Sequence, residues 1–415
     1  MESVARPCSL VELLRRSIIS AIGQTAGATG PSQWRVVVVD RPSLKIISTV
    51  LKMHAILEQN VLAVQLITKN RQPYPDADAV YVLIPCAESI AQVIDDFTSV
   101  ADDAQRLKYS HAHLFFTGAL SDSLFSRLST SPAAPYIKGI AELFVEYNPI
   151  ESRVFLTTPS SKPFYSLYSP KAADMLDRDL DASSDRLLSA IASLGIHPYV
   201  RYYRPPEPAR IPTDGGDSSD LSRPYLTRSS HQVAEAMANR LQDKLNDYYA
   251  HERRKAENCR QRSTTDLQPS TVIVLDRSVD MYAPLVHEFT YQAMAHDLIG
   301  FENGDKYVYT SECANGETQQ VEAELAESTD PLWEQMRHMH ISSVSQTLID
   351  RLDRLPTADR DKRGTLIVYI AGGATFGEMR AVYEMAQKYN RQVYIGSTHA
   401  ITPRGFLTDL KGLHL

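Results

Sequence analysis

Residues 34–40 read WRVVVVD, and four runs of the same character follow: VLAVQLI (61–67), AVYVLIP (79–85), HAHLFFT (111–117) and AELFVEY (141–147). Each is apolar enough to be buried on both faces, as the strands of a parallel sheet are. Amphipathic stretches separate them. Ile90, Val93, Ile94 and Phe97 recur at i, i+3, i+4 and i+7, and Leu124, Phe125 and Leu128 follow the candidate caps Ser121 and Asp122, which is helical spacing. The alternation of runs and amphipathic stretches over 34–147 predicts βαβ units around a parallel sheet.

A second α/β region begins at RVFLTT (153–158) and includes YVRYYR (199–204). The stretch PPEPARIPTDGGDSSDLSRP (205–224) reads as an exposed loop, and HQVAEAMANRLQDKLNDYY (231–249) as a helix,. TVIVLD (271–276), TLIVYIAGG (365–373) and RQVYIGS (391–397) read as further strands, the first two in one sheet,. Thr375 and Glu378 form a capping box, and Met379, Val382, Tyr383 and Ala386 make the apolar stripe of the helix behind it,. Residues 287–363 lack a comparable strand series. Leu332, Met336, Met339, Ile341, Val344, Leu348 and Leu352 keep helical spacing there,. The expected organisation is α/β domain 1 (1–147), a discontinuous α/β domain 2 (148–286 and 364–415) and a mainly helical part (287–363).

At 415 residues the chain exceeds what one core supports, so two or three domains are expected,. Its 43% hydrophobic and 22% charged residues are those of a folding globular chain, and a formal charge of −7 argues against general nucleic-acid binding,. Cys8, Cys86, Cys259 and Cys313 are too dispersed for a disulfide framework or a CxxC metal pair, which points to a reducing, cytoplasmic setting,. SLVELLRRSIISAIG near the start is broken by Glu12, Arg15 and Arg16, unlike a signal peptide,. No apolar run of 18 residues occurs, so membrane contact is expected only through partners,.

Catalytic motifs are largely missing. After the first strand stand Asp40, Arg41, Pro42 and Ser43 in place of a phosphate-binding glycine loop, and Ser397 in IGSTHA lacks the glycines of a nucleophile elbow,. The densest polar cluster holds Asp276, Asp280, His287, Glu288, His296 and Asp297, but HEFTY lacks the second histidine of a zinc helix,. Such residues more often cap helices and tie loops together. His111 and His113 share a strand face, and His338 and His340 fall on different faces of the predicted 332–352 helix,. The two glycines of AGG read as the turn into a capped helix,. No cofactor and no metal is expected. A divergent hydrolase or transferase using His287 and Glu288 remains the second reading, and a truncated, non-functional product the third.

The passages that fail as catalytic motifs resemble signatures of the SM (Sec/Munc-type) family, and in the family's order. LDRSVDMYAPLVHEFTYQAMAHDL (275–298) resembles its most recognisable block, and AGGATFGEMRAVYEMAQ with VYIGSTHAITPRGFLTDL its C-terminal block. VVVVDRPSLKIISTVLKM, NRQPYPDADAVYVLIP and YSHAHLFFTG are similar to its first domain, and LWEQMRHMHISSVSQ to the start of the helical part of its third. Family members place a long, mostly helical stretch before the TLIVYIAGG strand, where this chain has only LIDRLDRLPTADRDKRG.

The resemblance implies two parallel-sheet α/β domains plus a reduced, mainly helical third domain forming an arch. It implies a non-enzymatic, cytoplasmic regulator of vesicle docking and membrane fusion in transport or exocytosis. Its partners would be a syntaxin-like Qa-SNARE and assembling SNARE complexes, through which it is recruited to membranes. Asp40, Lys45, Lys52 and Arg71 match positions that face the syntaxin bundle or hold that surface, while Gln65 stands where the family has an acidic residue. Leu120, Phe125, Ile137, Ile140 and Glu142 match the pocket for syntaxin's N-terminal peptide. An apolar slot with one carboxylate suits a peptide carrying a basic residue and a Leu or Phe anchor. The plain alternatives are that Lys45 and Lys52 are a solvated helix edge and that Phe125 and Ile140 are core.

Overall fold

All five residues of the valine-rich strand β1 (Arg35–Val39) are buried, and the strand lies in the interior of a parallel sheet. The computed structural model describes residues 9–24, 34–68, 70–98, 107–158, 162–204, 226–258, 270–299, 301, 306–312, 318–327, 330–344, 347, 365–388 and 392–413. Cys8, Cys259, Cys313, the 205–224 stretch and residues 348–364 lie outside them. The chain divides into two compact units: Cys8–Pro149 with Ser184–Ile196, and Ile150–Ser183 with His197–Leu415.

The first unit runs α1 (Leu10–Gln24), β1, α2 (Arg41–Val50), α3 (Met53–Leu57), β2 (Val61–Leu66), β3 (Asp78–Leu83), α4 (Ala87–Asp96), β4 (Ala112–Phe116), α5 (Asp122–Ser129) and β5 (Ile137–Glu142). Its sheet order is β2-β1-β3-β4-β5, all parallel. Val36, Val38, Tyr81, Ile90, Val93, Phe116 and Leu128 are among the buried residues of one cluster, each large aliphatic side chain contributing about 1.5–3 kcal/mol by leaving water. Two expectations need correction. β2 and β5 are the sheet edges and are partly exposed, so neither is buried on both faces. The last strand is Ile137–Glu142, not 141–147. Phe144 has φ +50°, a left-handed conformation that a strand cannot contain,.

The second unit holds the second half of β6 (Asn148–Glu151), then β7 (Val154–Leu156), α6 (Pro163–Tyr168), the first half of α7 (Ala173–Leu194, whose second half groups with the first unit), β8 (Pro198–Tyr202), α8 (Leu226–Asn258) and β9 (Ser270–Asp276). It continues with α9 (Tyr291–Leu298), β10 (Lys306–Glu312), β11 (Thr318–Glu324), α10 (Pro331–Met336), β12 (Thr365–Ala371), α11 (Phe376–Lys388), β13 (Gln392–Ser397) and α12 (Pro403–Gly412). The sheet order is β6-β7-β13-β12-β9-β8, and β9 and β12 pair in parallel from Thr271↔Leu366 to Asp276↔Ala371, in one sheet as expected. Thr375 and Glu378 close the capping box reciprocally: Glu378 N donates to Thr375 Oγ1 at 3.2 Å and Thr375 N to Glu378 Oε2 at 2.8 Å. Gly372, at φ +99°, must be glycine, because a Cβ would lie 2.5 Å from the Tyr168 hydroxyl.

Residues 287–363 carry strands as well as helices, contrary to expectation: β10 and β11 form an antiparallel ribbon. The predicted 332–352 helix also breaks after α10. Tyr291 N donates to Met339 O, Gln292 N to Arg337 O and Ile341 N to Phe289 O, each at 2.9 Å. The 337–341 backbone therefore pairs across to the HEFTY segment instead of continuing its own helix, and His338 and His340 lie in this break.

Candidate functional site

In the first unit, Asp40 ends β1 and caps α2. Its Oδ1 accepts from Ser43 N at 2.8 Å and its Oδ2 from Ile84 N at 2.7 Å. At 7% exposure it fastens α2 to the exit of β3 and has no free face for a partner. Arg71 is likewise internal. Its side chain, 4% exposed, pairs with Asp96 and donates to Tyr109 Oη at 2.9 Å and Thr68 O at 2.6 Å. Asp96 also accepts from Tyr81 Oη at 2.7 Å and from Lys108 at 3.0 Å. Burial pushes the Tyr81 and Tyr109 hydroxyls up, so both stay protonated as donors.

Gln65 closes this network: its Oε1 accepts from Tyr109 Oη at 2.8 Å and its Nε2 donates to Gln72 O at 3.1 Å. A carboxylate at 65 could make the first bond and not the second. The amide thus serves both contacts.

Lys45 on α2 and Lys52 at the start of α3 are the exposed members of the predicted set, and neither has an ion-pair partner among the described residues. Sequence reading missed their neighbours. Met53 (53% exposed) and Leu57 lie one turn apart on α3, and Leu62 and Leu66 share one face of edge strand β2, all large, apolar and exposed,. The signal was present as two apolar residues at i, i+4 beside a lysine. It was hidden because β2 was read as buried on both faces.

The second predicted set gathers at the opposite edge of the same sheet. Phe125 on α5 is 49% exposed and Ile140 on β5 36% exposed, so neither is core. Ile137 and Leu120 pack partly against the core cluster. Ile140 and Glu142 stand in register with Leu114 and Phe116 of β4 and share their face of the sheet,. Glu142 Oε1 accepts from Leu120 N at 2.8 Å, drawing the loop that leads into α5 onto β5. Lys138, on the same strand, is held by Asp78 at 2.9 Å. Burial works against the Asp78 carboxylate, but hydrogen bonds from Lys138 and His111 outweigh it and keep its pKa below the ordinary range. Glu142 thus stands beside the apolar rim of Phe125, Ile140 and Leu120 without an ion-pair partner among the described residues, as do the exposed Asp122 and Arg127 of α5.

The polar residues of the alternative catalytic reading are engaged elsewhere in the second unit. Asp276 Oδ1 accepts from Ser278 N at 2.8 Å, Asp280 Oδ1 from Tyr282 N and Ala283 N, His287 pairs with Asp297 at 2.9 Å, and Glu288 pairs with Arg380 at 2.9 Å. Among the described residues no group of three His, Cys, Asp or Glu is placed to hold a metal ion.

The chain matches the Sec1 family over residues 35–364 and 353–409. Protein transport protein sec1 of Dictyostelium discoideum is 32% identical over 349 residues, which are 83% of this chain and 51% of that protein. The SNARE-interacting protein KEULE of Arabidopsis thaliana is 29% identical over 323 residues, 77% of this chain and 44% of its own. The chain thus spans about half the length of the relatives it matches. Among solved structures, the Unc18–syntaxin 1 complex from Monosiga brevicollis superposes with a TM-score of 0.74 at 21% identity, covering 98% of this chain and 100% of that one. The SM protein Vps45 in complex with the Qa SNARE Tlg2 gives 0.68 at 15%, covering 98% of each. Fold and sequence agree: the chain belongs to the Sec1 family.

Proposed function

We propose that this Sec1-family chain binds a syntaxin-like Qa-SNARE and regulates vesicle docking and fusion by binding, without catalysis. The observation that carries the reading is the family match together with the two exposed apolar edges of the first unit. Lys45 and Lys52 flank one, where they steer an acidic helical bundle. Phe125, Ile140 and Glu142 form the other, which takes a short N-terminal peptide with an apolar anchor and a basic residue. Asp40 and Arg71 act through the fold, by holding the first edge in shape. The proteins with similar structures were solved with such partners: Unc18 with syntaxin 1, Vps45 with Tlg2, and Sly1p with an N-terminal peptide of Sed5p.

No helix among the described residues is long and apolar enough to cross a membrane, and recruitment to membranes through the SNARE fits that. With so little chain before the TLIVYIAGG strand, the bundle is held less firmly than the peptide. A pull-down of the chain against the cytosolic regions of a panel of syntaxins tests the proposal. Selective capture of one or a few is expected, and capture of none would leave the reading without support.

A further inference from the structure

The second unit contains a cavity of about 420 Å³ that the proposed SNARE surfaces do not use. It sits where β9, β12 and β13 end, the position at which open α/β sheets usually take ligands. Four small residues, Ala283, Ala293, Gly377 and Ala381, keep it open, and its size falls within the roughly 300–1,000 Å³ of ligand pockets,. At its mouth Tyr282 is 81% and Val286 63% exposed.

The charge of the lining is one-sided. Asp280, Glu288, Asp297 and Glu378 line the cavity with Arg380 as the one cation among the lining residues; Arg380 is shared by Glu288 and Glu384, Glu378 is held by Arg277 at 2.8 Å and Asp297 by His287 at 2.9 Å, which leaves Asp280 without an ion-pair partner among the described residues. An anion is disfavoured even though α11 points its N-terminus here. Glu378 already caps that end, and a Glu288 oxygen lies 3.1 Å from where a Gly377 Cβ would stand,. Leu285 and Phe289, next in the chain to the lining residues Val286 and Glu288, are also exposed.

We propose that this cavity is a second peptide-docking site, taking a protein segment that inserts one apolar side chain between flanking arginines or lysines. The apolar anchor fills the space left by the alanines, one basic flank meets Asp280 beside Tyr282, and the other competes with His287 for Asp297,. This goes beyond the SNARE reading and does not depend on it, because the two lie in different units.

The test uses the full chain carrying Phe125→Ala, which removes the peptide anchor on the first unit. The probe is a fluorescent nonapeptide with one leucine between two arginines, and the readout is anisotropy. The peptide is expected to bind, to lose about tenfold or more in affinity with Ala381→Phe, which fills the cavity, and to weaken as salt rises. Asp280→Asn with Asp297→Asn, which keeps the turn and its hydrogen bonds, is expected to weaken binding and flatten the salt dependence, and serves if the filled variant does not fold. Equal binding of a peptide with glutamates for arginines, unchanged affinity in both variants, or no binding at millimolar peptide would each overturn the proposal.

Discussion

The two edges of the first sheet are built alike and differ in the charged residues beside them. Each edge strand is partly exposed, and each carries bare apolar residues, Leu62 and Leu66 on β2 and Ile140 on β5, beside a short helix that adds another, Met53 or Phe125. On the β2 side Lys45 and Lys52 are exposed and without an ion-pair partner among the described residues, as are Arg41 on α2 and Glu58 at the end of α3. On the β5 side Lys138 is taken up by Asp78, and Glu142 is left with Asp122 and Arg127 of α5. Under the proposed function each edge would meet its own ligand, and like-charge contacts would help to reject the wrong one.

The largest effect is expected where the scaffold behind one edge is removed. Arg71→Ala strips a partner from Asp96, whose side chain is 1% exposed, and loss of one member of a buried pair costs about 3–5 kcal/mol,. Urea unfolding should show a loss at the low end of that range, since Lys108 and Tyr81 still hold Asp96. Phe125→Ala comes next. Truncating an aromatic anchor should cost about 2 kcal/mol or more in binding of a syntaxin N-terminal peptide, measured by calorimetry, and leave chain stability nearly unchanged. Lys45→Glu with Lys52→Glu should slow association with the syntaxin bundle severalfold in stopped flow at low salt, an effect fading once the Debye length falls below about 8 Å. Peptide binding at β5 should not change.

The smallest effect concerns Asp78. Its pKa in the folded chain lies below the unfolded value of about 3.9,. The stabilisation is therefore complete above that value and is lost as pH falls toward and through the lower folded pKa. The stability difference between the wild-type chain and Lys138→Met should be constant near neutrality and shrink below about pH 4. A difference that persists undiminished into strong acid would remove Asp78 as the partner that neutralises this edge.

The interior strands were legible because VVVV and AVYVLI admit no other environment. The edges were not, since an edge strand keeps much of the same composition while losing one neighbour, and AELFVEY looks extended although Phe144 turns left-handed within it. The helix over 332–352 failed for a tertiary reason: the carbonyls of Arg337 and Met339 accept from the N–H groups of Gln292 and Tyr291. The ribbon of β10 and β11 was missed although KYVYT alternates and Asn315-Gly316, outside the described residues, is a strong hairpin signal,. Among the candidate site residues, chemistry alone could not separate Lys45 and Lys52, which face solvent, from Asp40 and Arg71, which are committed inside. That division depends on Ile84 N and Asp96, at sequence distances no local pattern reports.

Titration calorimetry of the chain with two forms of one syntaxin cytosolic region, with and without its N-terminal peptide, tests the central claim most directly. Tight binding is expected of the form that carries the peptide, abolished by Phe125→Ala, and weak binding of the peptide-less form, lowered further by Lys45→Glu with Lys52→Glu. Equal, tight binding of both forms that neither set of substitutions alters would contradict it.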